Sequence, residues 1–117
     1  MPQILSSTAL YKFCEAKSCI SFFGAGYIAD KTILKCQIRP QYIIDNNIDI
    51  QSTFQDSIPV VALSESVSSS IFIITSTSIS EIESQLLDFG VDPKNIYVSP
   101  VLSDHYQISL FEDQYFD

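Results

Sequence analysis

The chain has 117 residues, 46% of them hydrophobic, and its 14 acidic against 6 basic residues give a formal net charge of -8. That length fits one domain with a single core and leaves no room for a separate catalytic domain, and an acidic surface would repel phosphate backbones, so nucleic acid is not an expected partner. No apolar run reaches bilayer-spanning length and no basic segment precedes an apolar one at the start, so no membrane contact and a cytoplasmic location are expected.

Ser6-Ser7-Thr8 supplies N-cap candidates for a first helix whose apolar stripe is Leu10, Phe13 and Cys14, ending at Lys17-Ser18. Cys19 to Phe23 reads as a short apolar strand of the kind buried on both faces of a parallel sheet. A glycine turn follows, then a helix from about Gly26 to Cys36 with Ala29, Ile33 and Cys36 toward the sheet and Asp30, Lys31 and Lys35 in water. Pro40 punctuates the connection to a second strand, Tyr42 to Asp45.

Asn46 to Gln55 is polar and loop-like, and Ile58 to Val61 is an extended piece in which Pro59 suits a strand start or an edge. A brief helix is expected within Ser64 to Ser70, then the clearest strand, Ile71 to Thr75, and a polar Ser76-Thr77-Ser78 loop. Ser80-x-x-Glu83 has the form of a capping box, opening a helix through Phe89 with Ile82, Leu86 and Phe89 on one face. Gly90 supplies its C-cap, and Asn95 to Val98 is the last strand. Residues 103–117 form an acidic-aromatic C-terminal tail beyond a domain spanning 1–102.

Strands alternating with helices indicate an α/β fold: a Rossmann-like three-layer sandwich whose parallel sheet of about five strands runs in the order 3-2-1-4-5. The turn after the first strand is G-x-G-x-x-A (Gly24, Gly26, Ala29), answered by Asp45 at the end of the next strand. Gly24 lets the chain turn sharply, Gly26 admits a phosphate close to the backbone, and the helix N-terminus behind it favours an anion. Asp45 is placed to accept from two adjacent hydroxyls, and it favours NAD over NADP because a carboxylate repels a 2′-phosphate. The structural alternative is that the glycines serve only a tight turn and Asp45 caps a loop. The expected binding rim is Gly24, Ala25, Gly26, Tyr27 and Ile28 with Asp45, Asn46, Thr75 and Ser76.

No catalytic group or metal ligand set joins that rim. Tyr27-x-x-x-Lys31 has the spacing of a dehydrogenase pair but overlaps the glycine turn itself, and no G-x-S-x-G elbow is present. Cys14, Cys19 and Cys36 are expected to be reduced, buried thiols, and His105 a surface or tail residue.

Taken together, F-F-G-A-G-Y-I-A-D-K-T-I, Y-I-I-D-N-N, I-P-V-V-A-L-S-E, I-F-I-I-T-S-T-S and L-L-D-F-G-V-D-P-K-N-I-Y-V-S-P-V-L resemble a known module over Cys19 to Leu102. It is similar to the small Rossmann-like nucleotide-binding domain of bacterial surface-polysaccharide biosynthesis proteins, found with sugar acetyltransferases, FkbM-type methyltransferases and capsule-type sugar-nucleotide dehydratases. The resemblance implies a nucleotide or nucleotide-sugar, of NAD or UDP-sugar type, held at Gly24, Gly26, Asp45 and the Thr75-Ser76 loop. The chain departs from it in having Tyr27-Ile28 where the acetyltransferase-linked domains carry Gly-His, and Asp56-Ser57 where their turn contains glycine. The expected function is a binding module without a complete active site, alone or with a partner enzyme or a second copy. The alternatives are an interaction module that kept the fold and docks a partner enzyme through its tail, and a small NAD-dependent sugar-nucleotide oxidoreductase or epimerase domain.

Overall fold

The computed structural model describes residues 3–4, 6–15, 19–66 and 71–102. The expected tail, His105, the helix end at Lys17-Ser18 and the second half of the Ser64–Ser70 segment lie outside the described residues.

The elements are β1 (Gln3–Ile4), α1 (Ser7–Glu15), β2 (Ile20–Phe23), α2 (Tyr27–Cys36), β3 (Tyr42–Ile44), β4 (Phe54–Gln55), β5 (Ile58–Val61), β6 (Ile71–Ile74), α3 (Ile79–Phe89) and β7 (Ile96–Val98), with short 3-10 turns at Leu63–Ser66 and Pro93–Asn95. Six strands run parallel in the order β1-β7-β6-β2-β3-β5, and β4 joins the β5 edge antiparallel. The fold is therefore mixed α/β with a mostly parallel sheet, and its strand order differs from the five-strand expectation. The physical reason is size: β1 and β4 are two residues each, too short to leave a periodic signal.

Every residue of β2 and β6 is buried, because a central parallel strand is covered on both faces. Alternation along the strands sends Phe22, Ile43, Val60 and Ile73 into one apolar cluster with Leu10 and Cys14 of α1 and Ala29 and Cys36 of α2. Phe23, Ile44, Val61 and Ile74 belong to the other cluster, with Ile79, Ile82 and Leu86 of α3. Leu10 and Cys14 of the expected α1 stripe and Ile82 and Leu86 of the expected α3 stripe thus reach opposite clusters, whereas Phe89 is 41% exposed and Cys19 is only partly buried.

Two local expectations need correction. α3 begins at Ile79 with Ser78 as its N-cap, which makes no side-chain cap bond, so Ser80 lies inside the first turn instead of opening it. Burial of Ile79, 2% exposed, draws the helix start forward. On α2 Ala29 and Cys36 are buried as expected, but the third fully buried position is Thr32, with Ile33 only half-buried. The Thr32 hydroxyl donates to the Ile28 carbonyl at 2.7 Å and pairs with the buried Ser99 hydroxyl, so a polar residue meets the core with its bonding satisfied.

The other ends behave as their residues require. Ser6 Oγ accepts from Ala9 N–H at the start of α1, and Gly90 closes α3 with its N–H on the Leu87 carbonyl while Val91 N–H reaches Leu86. Pro59 lies within β5 opposite Phe54, while the flanking pairing to the 52–53 segment is carried by the N–H and C=O of Val60. Among the described residues, no helix is long and apolar enough to cross a membrane.

Candidate functional site

The carboxyl ends of the central strands are brought level by ladder bonds that continue past them. Gly24 N–H bonds the Ile44 carbonyl at 2.7 Å, Thr75 N–H the Phe23 carbonyl at 3.0 Å, and Asp45 N–H the Val61 carbonyl at 3.1 Å. Residues distant in sequence therefore form one rim. A crevice of about 170 Å³ opens there, lined by Gly24, Asp45, Asn46 and Ser76 of the expected set, and by Glu81 and Gln85 on the first turns of α3.

Gly24 is held against the loop after β6. Its φ is +124°, and a Cβ built on it would stand 2.8 Å from the Thr75 carbonyl oxygen and 2.9 Å from Ser76 Cβ. The buried Thr75 hydroxyl donates to the Gly24 carbonyl at 2.6 Å. Gly26, the N-cap of α2, has φ +121° and ψ -150°, a region in practice reserved for glycine, but a Cβ there would meet nothing within 4 Å. The two glycines thus differ in kind: the first is required by packing and conformation together, the second by conformation alone.

The acid expected to hold a diol is already at work on the protein. Asp45 Oδ2 accepts from Ala25 N–H at 3.0 Å and Oδ1 from Asn47 N–H at 2.8 Å, so one carboxylate ties the glycine turn to the loop after β3. An ionised carboxylate has about four acceptor positions, which leaves two directions for ligand hydroxyls. Gln51 Nε2 secures the Asp45 carbonyl at 2.8 Å. Across the crevice mouth, Asn46 and Gln85 exchange two amide bonds of 2.9 and 3.0 Å, joining that loop to α3.

The remaining expected positions are placed differently. Ile28 is 9% exposed and belongs to the α3-side core cluster, so its side chain serves packing. Tyr27 is 58% exposed, with the Lys31 ammonium 5.4 Å from its ring centroid. That is a cation–π contact within one helix turn, and it accounts for the Tyr-x-x-x-Lys spacing. Gly26 N–H is engaged by Gln55, which lies in β4 where a loop is expected: Oε1 accepts from Gly26 N–H at 2.9 Å, and Nε2 donates to the Gly26 carbonyl at 2.9 Å and to Asp30 Oδ1 at 2.7 Å.

Gln55, Glu81 and Gln85 are silent in the sequence because isolated polar residues carry no periodic or motif signal; their roles exist only once β4 and α3 are placed. Beside Gln55, the Asp56 carboxyl is raised above its ordinary range by a hydrogen bond to Asp30 and by that group's charge, partly offset by Arg39. Among the described residues, the charged groups of the crevice lining are Asp45 and Glu81, and no group of acids, histidines and cysteines is arranged to hold a metal ion. Such a lining suits a neutral, hydroxyl-rich or amide-bearing moiety better than a bare anion. Compared with protein-family models and with curated proteins, the chain gives no match.

Proposed function

We propose that this chain is a Rossmann-like module that binds a nucleotide or nucleotide-sugar, of NAD or UDP-sugar type, in surface-polysaccharide biosynthesis, and that it binds without carrying out a reaction of its own. The observation that carries the proposal is the crevice itself, where Gly24, Asp45, Asn46 and Ser76 converge from three separate stretches of sequence. The neighbouring run β5-β3-β2-β6-β7 within the larger sheet supports the Rossmann-like reading, since ligands of open α/β sheets bind outside the carboxyl ends of strands at such a switch. In this reading the free acceptor positions of Asp45 and the hydroxyl of Ser76 take the ribose or sugar hydroxyls. The side-chain amides of Asn46 and Gln85 are placed for a base or carboxamide edge.

Thermal shift with NAD, ADP and UDP-glucose tests it. A ligand present at a hundredfold its Kd stabilises by about 2.7 kcal/mol, a rise in Tm of about 10 °C for a domain of this size. Ser76→Leu, which fills the crevice from the β6 side, should abolish the rise while leaving the unliganded Tm near wild type. Flat melting curves with all three ligands at millimolar concentration would reject the reading.

A further inference from the structure

Two successive peptide N–H groups of the glycine turn are taken by two side chains. Asp45, just past β3, holds Ala25, and Gln55, in β4, holds Gly26. The Gln55 clasp is complete: its one carbonyl and both amide hydrogens are used, on Gly26 N–H, the Gly26 carbonyl and the Asp30 carboxylate. A phosphate reaching the turn would need the same Gly26 N–H.

The element carrying Gln55 is lightly built. β4 is two residues long, Phe54 beside Gln55 is 69% exposed, and the hairpin turn Asp56-Ser57 has φ of +52° and +68°, unfavourable for residues with a Cβ. Beyond its short pairing with β5, it is held by Gln55 and by Arg39, whose Nη2 donates to the Asp56 carbonyl at 2.7 Å. Sparse contacts and strained turns mark the segments of a fold that open at low free-energy cost.

We infer that Gln55 is an internal lock on the glycine turn: its carboxamide occupies the Gly26 peptide, and a phosphate-bearing ligand reaches that N–H only when β4 lifts off β5, which itself stays in the sheet beside β3. The inference rests on the crevice being a nucleotide site and adds its regulation. Ligand groups in the crevice proper, on Asp45, Asn46 and Gln85, are unaffected by the lock. The phosphate subsite is closed until the lock is released, so phosphate-bearing ligands bind more weakly than the exposed turn would allow.

The test uses the full chain as wild type, Gln55→Ala and Gln55→Thr, the second variant keeping a strand-forming residue should the first fold poorly. Amide hydrogen exchange at Gly26, read by NMR, should quicken at least tenfold in both variants while Ile73 and Leu86 in the core keep their rates. ADP should then bind both variants at least tenfold more tightly than wild type, and adenosine should bind all three equally. Unchanged Gly26 exchange overturns the lock. If ADP binds wild type and variants alike, the lock falls and the nucleotide reading stands; if the variants bind neither ADP nor adenosine, both fall. ADP binding tightened only in the variants, with adenosine held equally by all three proteins, supports the lock.

Discussion

Replacing each glycine of the turn with alanine separates packing from conformation. Both residues have φ near +120°, a backbone region that costs a residue bearing a Cβ about 1–3 kcal/mol. At Gly26 that is the whole penalty, because the new methyl meets nothing within 4 Å. The stiffer unfolded chain of the alanine variant returns about 0.4–1 kcal/mol, so Gly26→Ala should cost about 1 kcal/mol net. At Gly24 the methyl would press on the Thr75 carbonyl oxygen at 2.8 Å and Ser76 Cβ at 2.9 Å. Neither is the flexible end of a side chain, so overpacking adds about 1–3 kcal/mol and Gly24→Ala should cost about 3 kcal/mol. Urea unfolding followed by far-UV circular dichroism measures both. The expected gap is about 2 kcal/mol, or about 8 °C in Tm. Equal losses, or a larger loss at Gly26, would refute the assignment of Gly24 to the contact with the loop after β6.

Further expectations concern the hairpin and the thiols. Ser57→Gly places at the turn the residue its left-handed φ of +68° calls for, and should stabilise the protein by about 0.5–1 kcal/mol in the same unfolding assay; a lower midpoint would count against the turn geometry. Because Asp56 holds its proton more tightly in the folded protein, through Asp30, its stabilising contribution is full below the ordinary carboxyl pKa and is lost as pH rises through the raised value. Asp56→Asn should therefore gain in Tm relative to wild type as pH climbs from 3 to 7, and a constant difference between the two would dismiss the carboxyl pair. Burial, with a smaller contribution from Cys36, pushes the Cys14 thiol up to about 11. Iodoacetamide at pH 8 should leave Cys14 unmodified until guanidinium unfolds the chain, and labelling of the native protein at the rate of a free thiol would contradict its burial. The same shift makes stability fall between the ordinary thiol pKa of 9.0 and about 11, as the unfolded state releases the proton first.

The parts of the fold legible in the sequence are those where one residue class dominates a segment. Ile71 to Ile74 is uniformly apolar and forms a buried central strand, and Gly90 ends α3 where glycine was read as its cap. Legibility fails where a role depends on a distant partner. Thr32 reads as polar on a helix, yet it is buried because Ser99, from the end of β7, meets its hydroxyl. Ser80-x-x-Glu83 matches a capping pattern, but the pattern does not encode the burial of Ile79 that moves the helix start. At the site, the glycines and Asp45 were visible because they form a known spacing. That Asp45 and Gln55 bind the turn's own amides was not, since carboxylates and amides accept from a backbone N–H as readily as they hold a ligand.

The two-residue strands at the sheet's margins bear on how this protein behaves at high concentration. The five longer strands are short, almost wholly apolar and mostly parallel, a composition that pairs readily with further chains if a long flat edge is left open. β1 covers the β7 edge and β4 covers β5. Among the described residues, each new margin offers a neighbouring molecule two residues of ladder, and at one margin β4 runs straight into a sharp left-handed turn. With a net charge of -8 adding mutual repulsion, the described part of a sheet made of aggregation-prone strands ends in borders too brief for another molecule to extend.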